Sequence, residues 1–152
     1  MIDAGAVAAQ ARALVPGSQM PDVVRTPTRV SCFLFAVAWW APHRVHYDIE
    51  LARAEGYEDV MVPGLLLNEY VVSALTGWTG DPLNLRRMDI RNLAPAYAGD
   101  RLLIESSVAE VADHGERVEV TFQYEITRTG PDGGERVAVA AGRGTVEVAG
   151  SP

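Results

Sequence analysis

The chain has 152 residues, 48% of them apolar and 22% charged, with a formal net charge of −7. One domain able to bury a substantial core fits these values. The negative charge argues against a protein that coats nucleic acid, while leaving room for a phosphate-bearing ligand gripped by a few local arginines. Cys32 is the single cysteine, so no intrachain disulfide is expected, and its apolar surroundings point to core packing.

Met1 to Met20 is alanine-rich and interrupted by Asp3 and Arg12, with no unbroken apolar run ahead of a cleavage site. No secretory signal and no membrane span are expected, and a cytoplasmic location follows as the expectation. Asp3 to Leu14 reads as a short helix. Pro16, Pro21 and Pro27 then impose an extended approach segment. Residues 1–27 are taken as an N-terminal extension and 28–149 as a single domain. Arg29 to Trp40 is almost wholly apolar and rich in Val, Phe and Trp, which predicts a strand covered on both faces.

Ala41 to Pro63 is irregular, apart from a short predicted helix from Asp48 to Glu55 with Asp48 as N-cap and Gly56 as terminator. Gly64 to Thr76 is apolar on most faces, broken only by Asn68, Glu69 and Ser73; such a helix is a buried one. Pro63 suits its start and Gly77 its end. From there the period falls to two. Leu83 to Asn92, Arg101 to Ala112, Val118 to Thr127 and Arg136 to Val148 are predicted antiparallel strands, with turns at Asp113-His114-Gly115 and Gly130 to Gly134. One long helix wrapped by a curved antiparallel sheet satisfies this order, giving an α+β class.

The chemistry-bearing stretch is Pro42-His43-Arg44-Val45-His46-Tyr47-Asp48, followed by the glycine-led helix. A helix start offers unpaired N–H groups to a carbonyl oxygen. A histidine beside it can move a proton near neutral pH. The pair points to acid–base chemistry on an activated carbonyl. His43 and His46 have metal-ligand spacing, but one cysteine and no carboxylate cluster complete no site, so no metal is expected.

Taken in order, His43-Arg44-Val45-His46-Tyr47-Asp48, Glu55-Gly56-Tyr57, Val62-Pro63-Gly64-Leu65-Leu66 and Arg91-Asn92-Leu93-Ala94-Pro95-Ala96-Tyr97-Ala98-Gly99-Asp100 resemble the MaoC-like hydratase/dehydratase family of the hot-dog fold. The resemblance implies a lyase that adds water to a 2-enoyl thioester or removes it from a 3-hydroxyacyl thioester. Coenzyme A or acyl carrier protein would enter as part of the substrate, with no separate cofactor. It implies His46 as the catalytic histidine and Gly64 as the oxyanion glycine. It also implies pairing, with an identical chain or with another hot-dog subunit. Two positions depart from the family pattern: Ala41 stands where Asp or Asn is usual, and Pro63 where His is frequent.

His46 has a second reading, a partly buried histidine bonded to a loop carbonyl. His43 either takes over the proton transfer lost with Ala41, or orients substrate, or only solvates the segment. Trp39, Trp40 and Asn68 are candidate substrate contacts, with aromatic core packing and backbone satisfaction as their alternatives. Arg91, with Arg86, Arg87 and Arg101, is a candidate grip for coenzyme A phosphates or an acidic carrier, against a solvated strand face. Two further functions remain open. A non-catalytic subunit is favoured by Ala41, and a thioesterase would need a carboxylate such as Glu69.

Overall fold

The computed structural model describes residues 3–149; Met1 and Ile2 of the expected extension lie outside them. The elements run α1 (Ala4–Ala13), β1 (Val23–Arg25), α2 (Arg29–Ala38), α3 (Ile49–Ala54), α4 (Gly64–Thr76), β2 (Leu85–Asn92), β3 (Arg101–Asp113), β4 (Arg117–Thr129) and β5 (Val137–Ala149). The five strands form one antiparallel sheet in the order β1-β3-β4-β5-β2.

The period-two segments become strands as expected. On β4, Val118, Val120, Phe122, Tyr124 and Ile126 are buried, and Glu119, Thr121, Gln123 and Glu125 turn to the other face. The buried face meets α4, whose Leu66, Leu67, Val71 and Leu75 join the same core. Two glycines of β5 set the closeness of this packing. A side-chain carbon on Gly144 would enter the Leu75 side chain, and one on Gly142 would enter the Asp89 carbonyl oxygen and the Tyr124 hydroxyl. Tyr124 instead lies over Gly142 and donates its hydroxyl to the Asp89 carbonyl on β2.

Within the expected extension, α1 packs Val7, Ala8 and Ala11 into the core, and β1 adds a fifth strand paired with β3. Asp3 caps α1 by accepting from the Gly5 and Ala6 N–H groups.

The predicted strand over Arg29–Trp40 is corrected: Arg29–Ala38 is a helix. Thr28 caps it reciprocally with Ser31, each side chain taking the other's backbone N–H. At its far end Trp40 N–H bonds the Val37 carbonyl (3.1 Å) and Ala41 N–H bonds the Ala36 carbonyl (2.8 Å), with Trp40 left-handed at φ 50°. This is a Schellman ending, with tryptophan where glycine is usual. The helix is apolar on two stripes. Cys32, Phe35 and Ala36 face inward, while Val30, Phe33, Leu34 and Val37 stand exposed beside Trp39 and Trp40, the last 86% exposed. Burial pushes the Cys32 thiol up to about 11, in keeping with a packing role.

Candidate active site

The site is built on three short segments held edge to edge. The turn Arg44–His46 follows α2, and Val45 is fully buried beneath it. The extended segment Val60 to Val62 runs alongside: Met61 N–H donates to the Val45 carbonyl at 2.9 Å. On its other side, Val62 N–H donates to Ala96 and Ala98 N–H to Val60, at 2.8 and 2.9 Å. Pro63 then turns the chain into α4, so that Gly64 opens the central helix beside these strands.

His46 is half-buried, and its Nδ1 lies 2.9 Å from the Met61 carbonyl oxygen. A carbonyl only accepts, so Nδ1 carries the proton, and Nε2 is the free, basic nitrogen of the neutral ring. The loop-carbonyl bond that the alternative reading of His46 expected is thus present, and it fixes the ring's tautomer. His43 is exposed, with its ring 6.0 Å from that of His46 in an edge-on arrangement.

Asp48 acts as the cap of α3, accepting from Glu50 and Leu51 N–H, and pairs with Arg44. Those backbone bonds and the Arg44 guanidinium hold its carboxyl below the ordinary range. Upstream, Arg29 of α2 grips Asp59 with two donors, tying α2 to the Val60–Val62 segment.

Gly64 has no side-chain cap before it, since Pro63 occupies the N-cap position. Its N–H therefore remains available to a ligand. Gly64 lines a cavity of about 330 Å³ with Tyr57, Met61, Leu67, Asn92 and Pro95 among its walls. The wall is mostly apolar, the usual character of a small-molecule site. Met61 links the two halves: its carbonyl anchors His46 and the residue lines the cavity.

The structure sets His43 beside His46 and ties His46 to Met61, a residue that lines the Gly64 cavity, while neither histidine is itself among the cavity's lining residues. It does not bring the other candidates to this cavity. Trp39 and Trp40 are exposed at the end of α2, with Trp39 stacked on Phe35 at 6.0 Å. Asn68 is half-buried one turn into α4. Arg91 lies on the outer face of the sheet, in a separate open trough with Asp89, Glu125 and Arg143. Glu69 faces a different hollow, beside Val72 and Asp81. Trp78 packs in the core, edge-on to Phe122 and bonded to the Leu75 carbonyl. The polar cavity residues that motif reading passed over are Tyr57 and Asn92; both lie inside the quoted motifs, but nothing in their spacing marks them as lining one cavity with Gly64. Among the described residues, no group of three His, Cys, Asp or Glu side chains is placed to hold a metal ion, and no helix is long and apolar enough to cross a membrane.

A family model described as hydroxyacyl-thioester dehydratase type 2 matches residues 6–98. No curated protein matches the chain. Among solved structures, one chain of the ChsH1-ChsH2 complex from Mycobacterium tuberculosis superposes with a TM-score of 0.71 at 23% identity, covering 90% of this chain and 98% of that one. The (R)-hydratase from A. caviae involved in PHA biosynthesis gives 0.71 at 18% identity, with coverage of 89% and 97%. A MaoC-like dehydratase from Rhodospirillum rubrum gives 0.73 at 18% identity, with coverage of 93% and 97%. At these identities the likeness establishes the fold, a central helix wrapped by an antiparallel sheet, which is the expected hot-dog arrangement.

Proposed function

Since the chain belongs to the hydroxyacyl-thioester dehydratase type 2 family, we propose that it interconverts 3-hydroxyacyl and 2-enoyl thioesters with His46 as the general acid/base. The observation that carries this reading is the His46 Nδ1 bond to the carbonyl of Met61, a residue that also lines the cavity headed by Gly64; that bond leaves Nε2 as the basic nitrogen of the ring. In dehydration, Nε2 takes a proton from C2. The electrons of that C–H bond move toward the thioester carbonyl, whose oxygen gains charge opposite the Gly64 N–H and the positive end of α4. As the C3–O bond breaks, the imidazolium returns the proton to the departing hydroxide, and water leaves. Hydration is the reverse. One group working in both directions needs no carboxylate at position 41. The carrier, coenzyme A or acyl carrier protein, comes with the substrate.

His46→Ala should lower turnover of a short 2-enoyl-coenzyme A by about 10²–10⁴-fold while leaving folding intact. Loss of the enoyl-thioester absorbance reads the rate. Full activity in His46→Ala would place the chemistry elsewhere. His43→Ala, tested alongside, shows whether the second imidazole shares the proton transfer.

Ala41 supports a second reading, a non-catalytic subunit paired with a catalytic hot-dog chain. The eight-residue edge strand β2 is open for such pairing. Two of the similar structures are complexes, ChsH1-ChsH2 and the HadBC (3R-hydroxyacyl-ACP dehydratase) complex, both from Mycobacterium tuberculosis. An inactive wild-type chain whose partner alone carries the activity would favour this reading.

A further inference from the structure

We propose that the buried Asp100 carboxylate positions His46 through two intervening peptide units; this rests on the reading of His46 as the general acid/base. Three hydrogen bonds run in series between them. His46 Nδ1–H donates to the Met61 carbonyl at 2.9 Å. The next N–H, that of Val62, donates to the Ala96 carbonyl at 2.8 Å. The N–H that follows Ala96, on Tyr97, donates to Asp100 Oδ2 at 2.8 Å. The Met61 carbonyl and Val62 N–H belong to one planar peptide, as do the Ala96 carbonyl and Tyr97 N–H. A trans peptide points those two groups in opposite directions. All three donors therefore point one way, from the imidazole toward the carboxylate. In such a chain each bond polarises the next.

The far end of the relay is held more firmly than the near one. Asp100 is 2% exposed and Tyr97 6%, whereas His46 is half-buried. Asp100 N–H returns to the Tyr97 carbonyl at 3.1 Å, closing a turn in which Gly99 has a φ of 93°. From β4, Arg128 approaches the same Oδ2 at 3.5 Å and lies 5.0 Å from the centre of the Tyr97 ring. It also reaches exposed Glu58 at 3.6 Å. Beside the relay, Ala98 N–H on the Val60 carbonyl locks the two segments together. Asp100 lies outside the lining of the Gly64 cavity, so the relay is its route to the chemistry. Removing the carboxylate leaves a buried N–H without its acceptor. As the 96–97 peptide turns to find another, the Met61 carbonyl moves with it.

Nitrogen NMR of isotope-labelled histidine reads the His46 tautomer without substrate, and the enoyl-coenzyme A assay reads turnover. Wild type should show neutral His46 protonated at Nδ1. Asp100→Ala should shift the ring toward the Nε2–H tautomer and lower kcat by about 10–10²-fold, with KM nearly unchanged. Asp100→Asn keeps an acceptor oxygen for the Tyr97 N–H and should restore both. Asp100→Leu combined with Arg128→Met removes the buried pair together, strands no lone charge, and should match Asp100→Ala. An unchanged tautomer and kcat in Asp100→Ala and in the double variant would overturn the relay while leaving the thioester reading intact. Equal loss of the tautomer in Asp100→Asn would also overturn it, because the acceptor would not be what matters. A wild type that turns over no enoyl thioester would overturn the thioester reading, and the NMR comparison would still decide the relay.

Discussion

Gly64→Ala should separate stability from activity in opposite directions. Gly64 sits at the first helical position of α4 with ordinary helical geometry rather than a left-handed one. A methyl group there would stand 3.4 Å from Asn92 Nδ2, an ordinary contact that displaces nothing. The fold therefore has no steric need of glycine at this point. Removing the extra freedom of glycine from the unfolded chain stabilises by about 0.4–1 kcal/mol, a rise in Tm of roughly 1–4 °C for a domain of this size. The same methyl would stand at the cavity that Gly64 lines, where under the proposed function the thioester oxygen approaches the Gly64 N–H. Loss of one oxyanion donor costs about 10²–10³-fold in kcat. Thermal unfolding and the enoyl-coenzyme A assay on the same preparation give both numbers. A variant as active as wild type would show that no carbonyl approaches Gly64. A destabilised variant would show that the glycine serves the entry into the helix instead.

Three other outcomes follow from the packing and the charges. Gly144→Ala meets only the flexible end of Leu75 and should cost about 1–3 kcal/mol, whereas Gly142→Ala meets the Asp89 backbone and should cost about 3 kcal/mol or more by denaturant titration; equal costs would contradict the approach described for β2. Trp40→Gly should relieve about 1–2 kcal/mol of left-handed strain against about 0.4–1 kcal/mol of added unfolded-chain freedom. A net gain of roughly 1 kcal/mol is expected, because Trp40 is 86% exposed and loses little packing; a loss of stability would mean that the indole is anchored. Finally, Asp59 and Asp100 should bend the stability–pH curve in opposite senses. The Arg29 bonds depress the Asp59 pKa, so its contribution is present above the ordinary carboxylate value of about 3.9 and is lost as pH falls through the depressed one. Burial raises the Asp100 pKa, so its contribution is present below about pH 3.9 and fades as pH rises through the raised value. The Tm deficit of Asp59→Asn should therefore shrink in acid, and Asp100→Asn should gain on wild type as pH rises from about 4 to 7.

The parts of the molecule legible in the sequence are those where one local signal acts alone. Gly64–Thr76 is bounded by Pro63 and Gly77 and is apolar enough to be central, and its ends fall where expected. Strand β4 carries a clean alternation, and Asp48 stands at a cap position. Helix α2 was hidden because its two apolar stripes leave almost no polar period to read. Its capping box uses Ser31 in place of the usual Glu or Gln, and its left-handed ending uses Trp40 in place of glycine. Strand β1 spans three residues between Pro21 and Pro27, too short for any alternation. At the site, His46 and Gly64 were marked by motif position. The Met61 carbonyl that orients His46 is a backbone atom, which no side-chain pattern announces. Asn92 comes to Gly64 only through the long connection between α4 and β2 and the pairing of β2 with β5, a relation between distant parts of the chain.

The outer stripe of α2 also bears on the order of events during synthesis. Chains emerge from the ribosome N-terminus first, at about 5–20 residues per second. Residues 29–40 are thus free for several seconds before residues 85–149, the strands that complete the core Cys32 joins, have been made. Once the sheet closes, Val30, Phe33, Leu34, Val37, Trp39 and Trp40 are still in water. Adhesive surface of this kind is a route to off-pathway association at high chain concentration. Recovery of soluble protein from cells should therefore depend on expression rate and temperature more steeply than its equilibrium stability would dictate.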